Sequence, residues 1–192
     1  SFLLRYGDHR DLHPLSHSFP TRRSADLAIG ANVIGGGTTL VSGTNESGSF
    51  YISGNTASNV VLNSRGVLFI SSGGIASATT VNNSGALNIS AGGTANSTTV
   101  NSGGSENISS GGIANSTTIN SGGNQNILSG GIASATTVNS GGNQMVSSGG
   151  VASATTVNSG GTIYVSSGGC ALALTMSAGA AIGANVIGGG TT

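Results

Sequence analysis

Charge, aromatic rings, proline and cysteine are all scarce in this chain, and each scarcity excludes a class of function. Of 192 residues, five are Lys or Arg and five are Asp or Glu, so the formal net charge is zero. Seven of the ten charges (Arg5, Asp8, Arg10, Asp11, Arg22, Arg23, Asp26), all three His and both Pro fall within residues 1–27. The rest of the chain carries only Glu46, Arg65 and Glu106. Without a basic stripe there is nothing to neutralise phosphates, which argues against nucleic acid as a partner. A single cysteine, Cys170, excludes an internal disulfide framework. No apolar run reaches the length of a membrane span, and the apolar stretch in SFLLRYGDHR is too short for a secretory signal.

The same poverty removes most enzymatic chemistry. From Ala28 onward there is no Asp, His or Lys. Paired carboxylates, a nucleophile with its base, and metal clusters are therefore unavailable, and neither a catalytic residue nor a cofactor is expected. Glu46 and Glu106 stand about three repeat units apart. The calcium-binding nonapeptide of β-rolls needs a regular Asp, which is absent. The glycines form no G-x-x-x-x-G-K-[ST] phosphate loop.

What the chain has in abundance is glycine, 35 residues of it, and a repeat of nineteen residues. A branched residue or Thr followed by Ala recurs at Thr56-Ala57, Ile75-Ala76, Thr94-Ala95, Ile113-Ala114, Ile132-Ala133 and Val151-Ala152, and again at Cys170-Ala171. Numbered from that residue, position 7 is Leu62, Val81, Val100, Ile119, Val138 and Val157, and position 15 is Ile70, Ile89, Ile108, Ile127, Val146 and Val165. Short β-branched runs bounded by Gly, Ser and Asn read as strands. Gly-Gly closes each unit (Gly130-Gly131, Gly149-Gly150 and equivalents), and a second pair (Gly122-Gly123, Gly141-Gly142 and equivalents) divides it, which predicts two tight turns per unit.

A single unit buries too few aliphatics to offset the ordering of nineteen residues, so the units must stack. The expected fold is all-β, a parallel β-helix (β-solenoid) with about one coil per nineteen residues. Complete repeats span 56–169 within an array over 28–192, and six coils at about 4.8 Å each make a rod roughly 29 Å tall. Asn at position 8 (Asn63, Asn82, Asn101, Asn120, Asn139, Asn158) would stack into an amide ladder. Cys170 takes position 1, where Ile and Val usually stand, and is expected to be a small core residue. Residues 37–55 fit the register only with a one-residue slip, and from Leu172 the glycine pairs are lost. AIGANVIGGGTT occurs at both Ala28–Thr39 and Ala181–Thr192, so the array is expected to be a slice of something longer.

The first 27 residues invite chemistry that does not survive inspection. His9, His13 and His17 are spaced for one helical face, but Pro14 interrupts that helix. His9-Arg10-Asp11-Leu12 opens like a kinase catalytic loop, yet Ser16 stands where Asn is needed. RYGDHRDLH (Arg5 to His13) and HSFPTRRSADL (His17 to Leu27) closely resemble one reading frame of a sequencing-library adapter, with Ala25 the one departure. Residues 1–27 are accordingly expected to be a non-native, disordered segment.

GGIANSTTINSGGNQNILSGG (Gly111 to Gly131) and GGIASATTVNSGGNQMVSSGG (Gly130 to Gly150) resemble the AIDA-type repeat of bacterial autotransporter adhesins, over roughly Thr56 to Gly169. The resemblance implies a cell-surface passenger acting in adherence, autoaggregation or biofilm formation, with host or bacterial surface receptors, or further copies of itself, as partners. It also implies a type V secretion route, with an outer-membrane β-barrel anchor lying outside this chain. Some members of that group carry O-linked sugars, which makes Ser102, Ser110, Ser121, Ser140, Ser148 and Ser159 candidate acceptors.

An alternative is a surface-binding or ice-binding solenoid built on the Thr pairs at positions 5 and 6 (Thr79-Thr80 through Thr155-Thr156). Adjacent strand residues point to opposite faces, so only one of those rows can face outward, a poor lattice match.

Overall fold

The computed structural model describes residues 41–184. The adapter-like segment 1–27, the segment Ala28–Thr39, and the second copy of that segment beyond Ala184 lie outside the described residues. Every described element is a strand, and every pairing between them is parallel.

Each coil holds three short strands. In one coil they are Ile132–Ser134, Thr137–Val138 and Asn143–Val146. Each pairs with its equivalents nineteen residues before and after: Ile132 with Ile113 and Val151, Thr137 with Thr118 and Thr156, Gln144 with Gln125 and Ile163. The first two sets belong to a 14-stranded sheet and the third forms an 8-stranded sheet. The first two sets meet in the longer strand Thr56–Leu62, which pairs with both Ile75–Ser77 and Thr80–Val81. Strands of two to four residues have no stability alone, so the ladder between coils is what makes them strands.

Alternation along each strand selects the core. Position 2 is Ala in every coil and is buried in the six complete units, with Ala171 partly buried. Positions 7 and 15 are buried in all six complete units. The aliphatic columns expected from the sequence are therefore the axis of the rod. Position 5 (Thr79, Thr98, Thr117, Thr136, Thr155) also points inward, and so does position 13, which is Leu68 and Leu87, then Glu106, Gln125 and Gln144, then Ile163.

The turns join the ladder instead of interrupting it. Gly141 N donates to Gly160 O at 2.8 Å and Gly149 N to Gly168 O at 2.7 Å, so turn backbone is paired from coil to coil as strand backbone is. The glycine pairs mark two corners, as expected. A third lies at position 4, where Ala78, Ser97, Ser116, Ala135, Ala154 and Ala173 all take φ between 50° and 58°. No glycine marks it, so the coil has one more bend than the two read from the sequence.

The register slips where expected. The strand Gly48–Ser53 pairs Gly48 with Gly66, eighteen residues on, while the next rung pairs Val67 with Ala86, nineteen on. The strand Val41–Asn45 absorbs a further shift through an irregularity between Val41 and Gly43. At the other end the coil outlasts its glycine pairs. Cys170 still pairs with Val151, Thr175 with Thr156 and Ala181 with Thr162.

Candidate interaction surface

Because odd positions of one strand and even positions of another point outward, the coils display side chains in vertical rows. The row at position 1 is apolar: Ile75, Ile113 and Ile132 are each about 40% exposed, with Val151 half-buried and Thr94 interrupting. Cys170 belongs to this row and is exposed, which corrects the expectation that it packs in the core. The reason is parity: the Ala beside it at position 2 points inward, so position 1 must point out. The row at position 14 runs Tyr51, Phe69, Asn88, Asn107, Asn126, Met145, Tyr164, with Tyr51 and Phe69 stacked at 4.6 Å between ring centroids. Of the Thr pairs, position 5 is buried and position 6 half-exposed, so a single Thr row faces solvent.

The six candidate acceptor serines fall into two ridges, both exposed. Ser102, Ser121, Ser140 and Ser159 line one, at position 9. Ser110 and Ser148 line the other, at position 17. Each ridge serine sits against a glycine of the following coil: a Cβ on Gly160 would lie 2.5 Å from Ser140 Oγ, and one on Gly168 would lie 2.6 Å from Ser148 Oγ. The missing side chain keeps the hydroxyl uncovered.

Amide ladders bind the coils laterally. At position 8, Asn82, Asn101, Asn120, Asn139 and Asn158 each donate Nδ2 to the Oδ1 of the Asn nineteen residues earlier, at 2.7–2.9 Å. This is the expected ladder. Its lowest member, Asn63, donates to Glu46 Oε1 at 3.0 Å. Position 14 has a shorter ladder, from Asn126 to Asn107 and Asn107 to Asn88.

A further ladder, not foreseen from the sequence, lies inside the rod. Gln144 Nε2 donates to Gln125 Oε1 at 2.7 Å, and Gln125 Nε2 donates to Glu106 Oε2 at 2.7 Å. The Thr hydroxyl eleven residues on donates to each of these acceptors: Thr117 to Glu106 Oε2, Thr136 to Gln125 and Thr155 to Gln144. Glu106 is 0% exposed, and its desolvation by burial pushes the carboxyl above the ordinary carboxylate range, partly opposed by the hydrogen bonds from Gln125 and Thr117 and by the nearby Thr98 hydroxyl. Parity could have placed it: positions 13 and 15 share a strand face, and position 15 is the aliphatic core.

Among the described residues no group of His, Cys, Asp and Glu could hold a metal ion. No described helix is long and apolar enough to cross a membrane. Glu46 and Glu106 stand on separate coils and do not meet. What the surface offers is a set of repeated, nearly uncharged rows.

The family described as "Adhesin of bacterial autotransporter system, probable stalk" matches residues 42–104, 107–161 and 128–180. Among solved structures, the crystal structure of a TibC-catalyzed hyper-glycosylated TibA fragment is 31% identical. The match covers 82% of this chain and 74% of that one, with a TM-score of 0.47. No curated protein matches.

Proposed function

Since the chain belongs to the AIDA family of adhesin stalks of the bacterial autotransporter system, we propose that its coils form an adhesive rod whose side rows themselves make the contacts. The protein is a stretch of cell-surface adhesin passenger, structural in character, and surface binding or self-association is the activity its family implies. The finer reading is that contact is lateral, through the apolar row at position 1 and the amide and aromatic row at position 14. The observation that supports it is repetition. The same exposed group returns at every coil, so weak contacts add along the rod without any one of them forming a pocket.

The test is aggregation of beads coated with the chain. Coated beads clump, and clumping changes little between low and high salt, because only Glu46, Arg65 and Glu106 are charged from Ala28 onward. Replacing Ile113 and Ile132 by Lys disperses the beads. Beads that stay apart at every salt concentration would leave a passive spacer and remove the adhesive role.

Three further parts belong to this reading. Residues 41–184 act as one rod. An outer-membrane β-barrel beyond this chain anchors the rod. Ser102, Ser110, Ser121, Ser140, Ser148 and Ser159 accept O-linked sugars, for which their exposure and the bare glycine beside each ridge provide room. Mass spectrometry of passenger isolated from its own cells checks the last point: peptides from 94–131 and 132–169 carrying no added hexose or heptose would refute it.

A further inference from the structure

Both carboxylates of the described array end an amide ladder, but in opposite surroundings. In every ladder the amide N–H donates toward the N-terminal coil, so the lowest member needs an acceptor beneath it. Glu46 fills that role for position 8 at the exposed surface. Glu106 fills it for position 13 inside the core.

The comparison of Glu106 with the two glutamines above it is informative. In Gln125 the terminal Oε1 accepts, from Gln144 Nε2 and Thr136 Oγ1, while Nε2 donates downward. In Glu106 it is Oε2 that accepts, from Gln125 Nε2 and Thr117 Oγ1. Oε1 therefore stands in the place of the amide donor. It is buried and has no partner, and neither does the buried Oγ1 of Thr98, a neighbour of the carboxyl. Beneath Glu106 in the ladder lies Leu87, which can neither give nor take a hydrogen bond.

We propose that Glu106 is the proton-bearing end of the internal ladder, a neutral acid whose Oε1–H donates to Thr98 Oγ1, and that its ionisation loosens the coils built around it. A Thr98 hydroxyl donating to an ionised Oε1 would pair the same two atoms but leave a charge in the core, whereas a proton on Oε1 pairs them and removes that charge. Among the described residues no cation is at hand to do so instead. The side chains that hydrogen-bond Glu106, influence its carboxyl or share its rung are Gln125, Thr117, Thr98 and Leu87, none of which titrates, and Arg65 is two coils below.

The sign follows from the raised carboxyl. The folded coil holds this proton at pH values where the unfolded chain has released it, so folding takes up a proton. The stability this group provides is full below the ordinary carboxylate range. It is lost as pH rises from there to the raised folded value, with the folding equilibrium constant falling by up to about tenfold per pH unit.

The experiment follows the full chain and Glu106→Gln from acid to alkaline pH. Denaturant unfolding gives stability, and amide exchange at Glu106–Ile108 and Asn124–Ile127 gives local opening. The Gln variant places a permanent donor where Oε1 stands. The two proteins therefore match at acid pH and diverge as pH rises, the wild type progressively losing protection in these strands, relative to the intrinsic exchange rate at each pH, while the variant's protection stays flat. Infrared difference spectra supply a second reading independent of stability: a protonated carboxyl C=O band at neutral pH in the wild type, missing in Glu106→Gln. Parallel pH profiles for the two proteins, or the absence of that band, would overturn the proposal.

Discussion

At Gly149 the backbone turns through φ 76°, and at the next residue, Gly150, a Cβ would lie 2.6 Å from the Ile127 carbonyl oxygen of the coil below. The two glycines answer different demands, conformation in the first and space in the second. Substitution should separate them. Gly149→Ala incurs the left-handed penalty of about 1–2 kcal/mol, because its nearest neighbour is the rotatable Ser129 hydroxyl. Gly150→Ala drives a methyl group into fixed backbone and costs about 3 kcal/mol. The check is the urea midpoint of each variant at unchanged m-value. The third corner reverses the logic. Ala135 holds φ 55° with its methyl group exposed, so glycine there relieves strain about as much as it adds chain entropy, and Ala135→Gly shifts stability by less than about 1 kcal/mol. Ala135→Val, β-branched in the same conformation, costs about 2 kcal/mol or more.

At the scale of a strand or a ladder, burial decides what an amide contributes. Asn120 is half-buried and bonded on both sides at 2.8 Å. Water can replace either partner, so Asn120→Ala costs about 1 kcal/mol. Gln125 is fully buried. Its loss would strand Gln144 Nε2 and Thr136 Oγ1 and take one of two donors from Glu106. Gln125→Leu therefore costs about 3 kcal/mol despite adding apolar volume; thermal unfolding of the two variants side by side measures the contrast.

The same contrast explains what could be read from the sequence. The coil length, the aliphatic columns at positions 7 and 15, and the Asn ladder were legible because each repeats one residue type at one position, and stacking forces like onto like. Cys170 was misplaced because branched residues at position 1 suggest a core, whereas the small Ala beside them is what enters it. The Gln column stayed hidden because a polar residue reads as an exposed one unless strand parity is followed from Ile127 back to Gln125. The bend at position 4 had no signal at all, since Ala and Ser occupy a left-handed corner without announcing it.

For the whole molecule, the nineteen-residue register is a condition that the rungs from Thr56 onward meet together. Removing Ile113–Gly131 takes out one complete coil, joins Gly112 to Ile132, and leaves each remaining strand with an equivalent neighbour. Glu106 then meets Gln144 and Thr136 in place of Gln125 and Thr117, so the internal ladder closes again. The shortened chain should keep its β-sheet circular dichroism and lose stability only by about one unit and one interface, as expected when each coil contacts its neighbours alone. Removing Ile113–Gly130, one residue fewer, is a milder change in mass and a far more damaging one in register. Every side chain above the junction shifts by one position, so aliphatics at 7 and 15 meet polar neighbours across the rung and the Gly pairs no longer face the carbonyls they make room for. That variant should split into two short stacks with separate melting transitions, or fail to fold. Equal stability of the two deletions would mean that coils tolerate slippage, and that the stack is held by general apolar collapse and not by the repeated ladder.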